Sequence, residues 1–270
     1  MSVLSVENLS IDYVGAQSIF AAVKDVSFDI AAGEFFGLAG ESGCGKSTIA
    51  FAIARLHRPP ALIRSGSRIV VDGRDVLGLD QAELRRFRWR EVAMVFQSAM
   101  NSLNPVLTIE SQFYDVLKTH KGLSRAAARD RAAELLALVD IPADRLAAYP
   151  HQLSGGMRQR IVIAICLALN PKLLIMDEPT TALDVVVQRE ILQRIHQLRQ
   201  TLGFSVLFIT HDLALMVQVS DRIGIMLEGQ LVEVNAAQEI YRSPRHDYTR
   251  RLWASMPRLH GPQIGQDAGK

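Results

Sequence analysis

The sequence predicts an α/β protein: a mostly parallel sheet wrapped by helices, with an antiparallel β subdomain at the N-terminus and an α-helical subdomain inserted in the middle. Three observations carry this. Short β-rich runs alternate with tight turns through the opening third. From about 98 to 165 the β-branched runs disappear and the chain turns rich in Ala, Leu and Arg. After Pro171, strand-like and helix-like runs alternate again, the pattern of parallel strands joined by crossover helices.

The elements follow in order. "LSVENLSID", "AVKDVSFDI" and "EFFGLAG" read as strands, separated and followed by the turn signals "AAG" (31–33) and "DG" (72–73). "STIAFAIARL" is apolar at helical spacing, and "EVAMVF" (91–96) is a buried strand. "SRAAARDRAAELLALVD" (124–140) is a helix with a serine cap. Then come the strand "KLLIM", the helix "DVVVQREILQRIHQLRQ", the strand "SVLFIT", a short helix and the strand "RIGIML", which turns at "EGQ" (228–230) into a hairpin. One domain is expected over about 3–255, with a disordered tail over 256–270. The basic run "LRRFRWR" (84–90) reads as a solvated helix face.

Composition narrows the class. The 270 residues are ample for a buried core, and 49% hydrophobic with 21% charged residues is ordinary for a globular chain. A net charge of +2 is too slight an excess to imply nucleic acid. Two cysteines, Cys44 and Cys166, without a CxxC motif, read as a reduced cytosolic chain. The start lacks the basic and apolar regions of a signal peptide, and the longest apolar run, "IVIAICLAL", is about half of a membrane span. A chain soluble by itself is expected, able to sit against a membrane through partners.

Four stretches carry chemistry. "GESGCGKS" places Gly40, Gly45, Lys46 and Ser47 in a phosphate-loop pattern between a strand and a helix. Its backbone N–H groups curl around a β-phosphate, Lys46 reaches β- and γ-oxygens, and the Ser47 hydroxyl ligates Mg²⁺. "LLIMDEP" (173–179) is a buried strand ending in two acids, where Asp177 can hold Mg²⁺ through water and Glu178 can orient an attacking water. "FITHDL" repeats that arrangement one strand on, placing His211 at the same sheet edge. "HQLSGGMRQR" (151–160) is a second small-residue loop feeding a helix, but without a lysine.

Together these motifs resemble the ATP-binding-cassette ATPases, over roughly residues 3–255 and in that family's order. The resemblance implies a P-loop NTPase core. It makes residues 40–48 (Gly40, Glu41, Ser42, Gly43, Cys44, Gly45, Lys46, Ser47 and Thr48) the Walker A loop, and the strand before Glu178 the Walker B strand with its catalytic acid. Gln97 takes the place of the Q-loop glutamine near Mg²⁺, "TALD" ending at Asp184 that of the D-loop, and His211 that of the switch histidine. Tyr13 stands where the family stacks an aromatic on adenine. The implied cofactors are ATP and Mg²⁺. Two cassettes pair head to tail, so Ser154, Gly155 and Gly156 serve the γ-phosphate of a second ATPase subunit, whose own lysine supplies the charge this loop lacks.

"FQSAMNSLNPVLTI", "YPHQLSGGMRQR", "PTTALDVVVQ" and "SPRHDYTRRLWASMP" narrow the resemblance to the dipeptide, oligopeptide and nickel importers. "PPALIRSGSRIVVDGRDVLGL" resembles the first of that group's two paired ATPases. Two transmembrane permease subunits, an extracytoplasmic solute-binding protein and a place at the cytoplasmic face of the membrane are implied. The solute is a peptide, nickel, an oligosaccharide or an opine. Two departures stand out: Ser98 replaces the group's usual aspartate beside Gln97, and the peptide members' cysteine-rich segment is not matched, so no iron–sulfur cluster is expected. The alternative is a non-transport cassette acting on nucleic acid or ribosomes. The compact helical stretch between Lys46 and Ser154 speaks against it.

Overall fold

Two strands of 13 residues each open the chain and pair antiparallel along their length: β1 (Ser2–Val14) and β2 (Ile19–Ala31). Leu4, Val6, Leu9 and Ile11 on one, and Val23, Val26, Phe28 and Ile30 on the other, supply the buried face. The structure, a computed structural model, describes residues 2–16, 18–97, 102–179 and 184–254. β4 (Ala61–Ile63) adds to β1 at one end, while β5 (Arg68–Val71) and β6 (Arg74–Asp75) extend the sheet in the order β2-β1-β5-β6. The "DG" signal is the two-residue turn joining β5 to β6, with φ of 46° at Asp72 and 78° at Gly73.

The second sheet has the order β11-β10-β3-β9-β8-β7. β3 (Phe35–Gly40), β7 (Val92–Val95), β8 (Leu173–Asp177), β9 (Ser205–Ile209) and β10 (Arg222–Leu227) run parallel. β11 (Gln230–Ala236) closes one edge as the antiparallel half of the expected hairpin. Every residue of β3, β8 and β9 is buried, as befits strands covered on both faces. α1 (Lys46–Ile53) follows β3 directly. The N-terminal sheet, α1 and one face of the parallel sheet share one core, in which Phe28 stacks on Phe36.

The helical part behaves as its composition predicts. α3 (Ile109–Lys121) buries Ile109, Phe113 and Leu117, one every fourth residue, and α4 (Arg125–Leu138) packs against it through Ala128, Ala132, Leu135 and Leu136. Thr108 and Ser124 cap them, each accepting a backbone N–H three residues on at 3.3 Å. α5 (Gly155–Cys166) joins this layer to the parallel sheet. α6 (Val185–Leu202) and α7 (Leu213–Val219) are the crossover helices of the last strands, and α8 (Ala237–Arg242) and α9 (Asp247–Ala254) end the described chain.

The basic run is solvated only in part. In α2 (Gln81–Arg90) Arg85, Arg86 and Arg90 are exposed as expected, but Leu84 and Phe87 are buried in the core, and Arg88 and Trp89 leave helical geometry. Arg88 turns its guanidinium onto the carbonyls of Ala54 and Arg55, capping the end of α1. Burial and the nearby Arg55 charge hold its pKa below the ordinary arginine value. The expected tail over 256–270 lies outside the described residues.

Candidate active site

Strand order brings the predicted residues together. β3, β9 and β8 are neighbours in register, Leu38 opposite Ile209 and Ile209 opposite Asp177. The phosphate loop, His211 and the Asp177–Glu178 pair therefore leave the sheet at one edge, the carboxyl end where α/β folds place ligands. A cleft of about 280 Å³ there is lined by Ser42, Gly43, residues 45–48, Gln97, Glu178 and His211.

Within the loop, Gly45 takes φ of 104° and launches α1, leaving the first backbone N–H groups of that helix unused. A Cβ at Gly45 would meet the carbonyl oxygen of Ala22 at 2.5 Å, so β2 presses directly on the loop. Lys46 is buried, and its Nζ donates to the carbonyls of Gly40 and Glu41 at 2.8 Å each. The lysine thus tracks back along the loop it belongs to, with its ammonium held at the carbonyls of the loop's first two residues.

The Ser47 hydroxyl donates to Asp177 Oδ1 at 3.0 Å, although the two are 130 residues apart. Burial raises the pKa of Asp177, and the neighbouring Glu178 charge adds to this, while the Ser47 hydrogen bond and the Lys46 charge pull it back. A buried carboxylate under that load gains from a nearby cation. Hydroxyl and carboxylate oxygens are hard donors suited to Mg²⁺, and the Gln97 amide borders the same cleft, so the residues present fit that ion.

Glu178 sits at φ of 49°, a left-handed conformation that a non-glycine residue adopts at a cost, and its N–H donates to the Ile209 carbonyl at 2.9 Å. His211 Nδ1 lies 2.8 and 3.0 Å from the two Glu178 carboxylate oxygens. The glutamate side chain is 14% exposed and the imidazole 67%, so the pair spans from the strand end out to solvent. Tyr13 stands beside the loop, its Oη 3.5 Å from Thr48 Oγ1, near the Lys46 end but outside the cleft lining.

The second small-residue loop is elsewhere. Ser154 caps α5 by accepting the Met157 N–H at 3.3 Å, and Asp184 caps α6 by accepting the Val187 N–H at 3.0 Å. Ser154, Gly155, Gly156 and Asp184 do not line the cleft. The two helix starts lie side by side: a Cβ on Gly156 would come within 2.8 Å of Val187 Cγ1. Ser98 and the first three residues of "TALD" lie outside the described residues. One contact between two quoted stretches is not foreseen by the sequence: the Glu41 N–H donates to the Tyr248 hydroxyl at 3.2 Å, across 207 residues.

Comparisons with known proteins give the family and the fold. The family model described as "ABC transporter" matches residues 23–181. A dipeptide transport ATP-binding protein of Bacillus subtilis is 43% identical over 259 residues, covering 95% of this chain and 77% of the relative. A peptidoglycan transport ATP-binding protein of Agrobacterium fabrum is 45% identical over 269 residues, and the chain spans 49% of that relative's length. Among solved structures, a dimeric ATP-binding cassette in a post-hydrolysis state with ADP and phosphate superposes with a TM-score of 0.76. It is 30% identical, and the match covers 87% of this chain and 98% of that one. The P-loop α/β architecture and the importer-group resemblance read from the sequence are both borne out. The nucleic-acid alternative has no support among these relatives.

Proposed function

This chain belongs to the ABC transporter family, and on that premise we propose that it is the ATP-hydrolysing subunit of an importer, coupling nucleotide turnover to uptake of a short peptide. The observation that carries the reading is the cleft itself. Lys46, Ser47 with Asp177, Glu178 with His211, and Gln97 meet there from four separate segments of the chain.

The roles follow from chemistry. The loop's N–H groups and Lys46 bind the triphosphate, and Tyr13 offers its ring to the base. Ser47, Asp177 and Gln97 would hold Mg²⁺, which supplies charge neutralisation on the phosphates when bound. Glu178 holds the attacking water by a hydrogen bond and takes up its proton. With its proton on Nδ1 toward Glu178, His211 fixes the carboxylate's direction at the water's side of the cleft.

Ser154, Gly155 and Gly156, capped at the start of α5 but away from this cleft, serve the nucleotide of a second cassette packed head to tail. Their N–H groups and the helix dipole are donors without a lysine. Asp184 stands beside them in the same contact. Closure of the pair passes to two permease subunits through the groove between the sheet and the helical layer. That groove holds about 330 Å³ and is bordered by Trp89, Phe96, Leu107 and Asp115. Phe96 and Leu107 are exposed there, as a docking surface requires. Among the described residues no helix is long and apolar enough to cross a membrane. The relatives named as transport ATP-binding proteins support a place at the cytoplasmic face of the membrane, held there by those partners. An extracytoplasmic binding protein delivers the solute.

Uptake tests the solute. Cells lacking this chain should lose uptake of labelled di- and oligopeptides while nickel uptake stays normal; the reverse pattern would move the solute to the metal.

A further inference from the structure

A second cleft, of about 370 Å³ and sharing no lining residue with the first, lies between Glu41, Leu227 and α9. Its wall includes Tyr248, the second residue of that helix, which is only 5% exposed. The start of α9 is anchored from β11. The Glu233 carboxylate accepts the N–H groups of Arg245 at 2.8 Å and His246 at 3.0 Å, and the Tyr248 N–H donates to His246 Nδ1 at 3.2 Å. From this fixed base the Tyr248 hydroxyl accepts the Glu41 N–H at 3.2 Å. The carbonyl of the same Glu41 accepts the Lys46 ammonium at 2.8 Å. Glu41 is thus held on both sides, by the lysine that grips phosphate and by the C-terminal helix.

We propose that Tyr248 is a positioning residue for the nucleotide: α9 braces the phosphate loop through the hydroxyl of this one side chain, and the brace sets affinity for the nucleoside triphosphate. The inference rests on the reading of the cleft as an ATP site. The loop grips the phosphates in the ground state and the transition state alike, so an interaction that shapes the loop contributes uniform binding. Glu178 and His211, which act on the water and the departing phosphate, follow other strands, β8 and β9, and do not line the cleft beside Tyr248. Loss of the hydroxyl should raise KM and leave kcat alone. A phenylalanine at 248 keeps the buried ring and removes only the oxygen, which leaves the Glu41 N–H without its partner.

The test is calorimetric binding of Mg-ADP and of a non-hydrolysable ATP analogue to the full chain, wild type against Tyr248→Phe. Thermal unfolding and steady-state hydrolysis on the same preparations complete it. The expected result is a Kd and a KM raised about fivefold to tenfold, the scale of one hydrogen bond, with kcat unchanged and the unfolding temperature lowered by no more than a few degrees. Amide exchange at Glu41 should accelerate in the variant, a signal that a general packing role for the ring would not produce. An unchanged Kd beside a wild type that binds normally overturns the brace alone, as does a fall in kcat at constant KM. A wild type that binds no nucleotide overturns the functional reading and the brace with it.

Discussion

Replacing Gly45 with alanine should be among the costliest small changes in the chain, and its neighbour Gly43 provides the internal control. At Gly45 φ is 104°, and the new Cβ would lie 2.5 Å from the Ala22 carbonyl oxygen and 3.3 Å from Val23 Cγ2. An L side chain forced to positive φ costs about 1–2 kcal/mol. Overlap with a backbone that cannot move freely adds about 1–3 kcal/mol, so the total is roughly 2–5 kcal/mol. At about 2–4 °C per kcal/mol for a domain of this size, the unfolding temperature should fall by roughly 4–20 °C. Gly43 has φ of 82° but nothing within 4 Å of the added atom, so Gly43→Ala should cost only the conformational part, about 1–2 kcal/mol. Thermal unfolding of the purified chain, monitored by circular dichroism, compares the two directly. If Gly45→Ala proved no costlier than Gly43→Ala, β2 would not press on the loop, and the close approach that shapes the phosphate site would be wrong.

Further outcomes follow from the site. Asp177 titrates above the ordinary carboxylate value because burial and Glu178 disfavour its charge. The folded chain therefore binds that proton more readily than the unfolded one, and stability falls as pH rises from the ordinary carboxylate value through the raised one. Asp177→Asn should accordingly raise the unfolding temperature at neutral pH while weakening Mg-nucleotide binding; a lowered unfolding temperature contradicts the burial account. Lys46→Ala should abolish measurable nucleotide binding by calorimetry, since it removes the charged donor beside the loop. Gly155→Asp should barely change binding to its own chain, but should block closure onto the partner's nucleotide, because like charges a few ångströms apart cost several kcal/mol in a partly dry interface. Trapping of labelled nucleotide in each subunit decides that point, and loss confined to this chain's own Lys46 site would show the Ser154 loop acting within its own subunit.

The motifs that could be read from sequence are those whose chemistry demands contiguity. A loop that wraps a phosphate must be built from consecutive backbone groups, so Gly40, Gly45 and Lys46 declare themselves by spacing. Asp177, Glu178 and His211 were placed at one edge by a general property of parallel sheets, and the β3-β9-β8 order supplies the contacts that spacing alone does not. β-rich runs between turn signals likewise located β1 and β2, and an Ala- and Leu-rich run behind a serine cap located α4. What stayed hidden depends on single long-range contacts. The arginine-rich stretch of α2 looks solvated by charge count, yet Phe87 is fully buried, and Arg88 abandons the helix to satisfy two carbonyls at the end of α1. Tyr248 lies in the quoted stretch "SPRHDYTRRLWASMP", but nothing there signals a partner 207 residues away, and only the folded chain brings its hydroxyl to the loop. The left-handed backbone at Glu178 was equally invisible, because a glutamate after an aspartate carries no local signal for positive φ.

The central claim is that Glu178 drives water onto ATP bound at the Lys46 loop. The most direct measurement is steady-state ATP hydrolysis by Glu178→Gln, in the subunit assembled with the proposed partner cassette and permeases, alongside equilibrium ATP binding by the same protein. The amide keeps the side chain's shape but cannot accept the proton. Binding should therefore match the wild type while turnover drops by about a hundredfold or more. Hydrolysis near the wild-type rate would remove Glu178 from the chemistry and contradict the account.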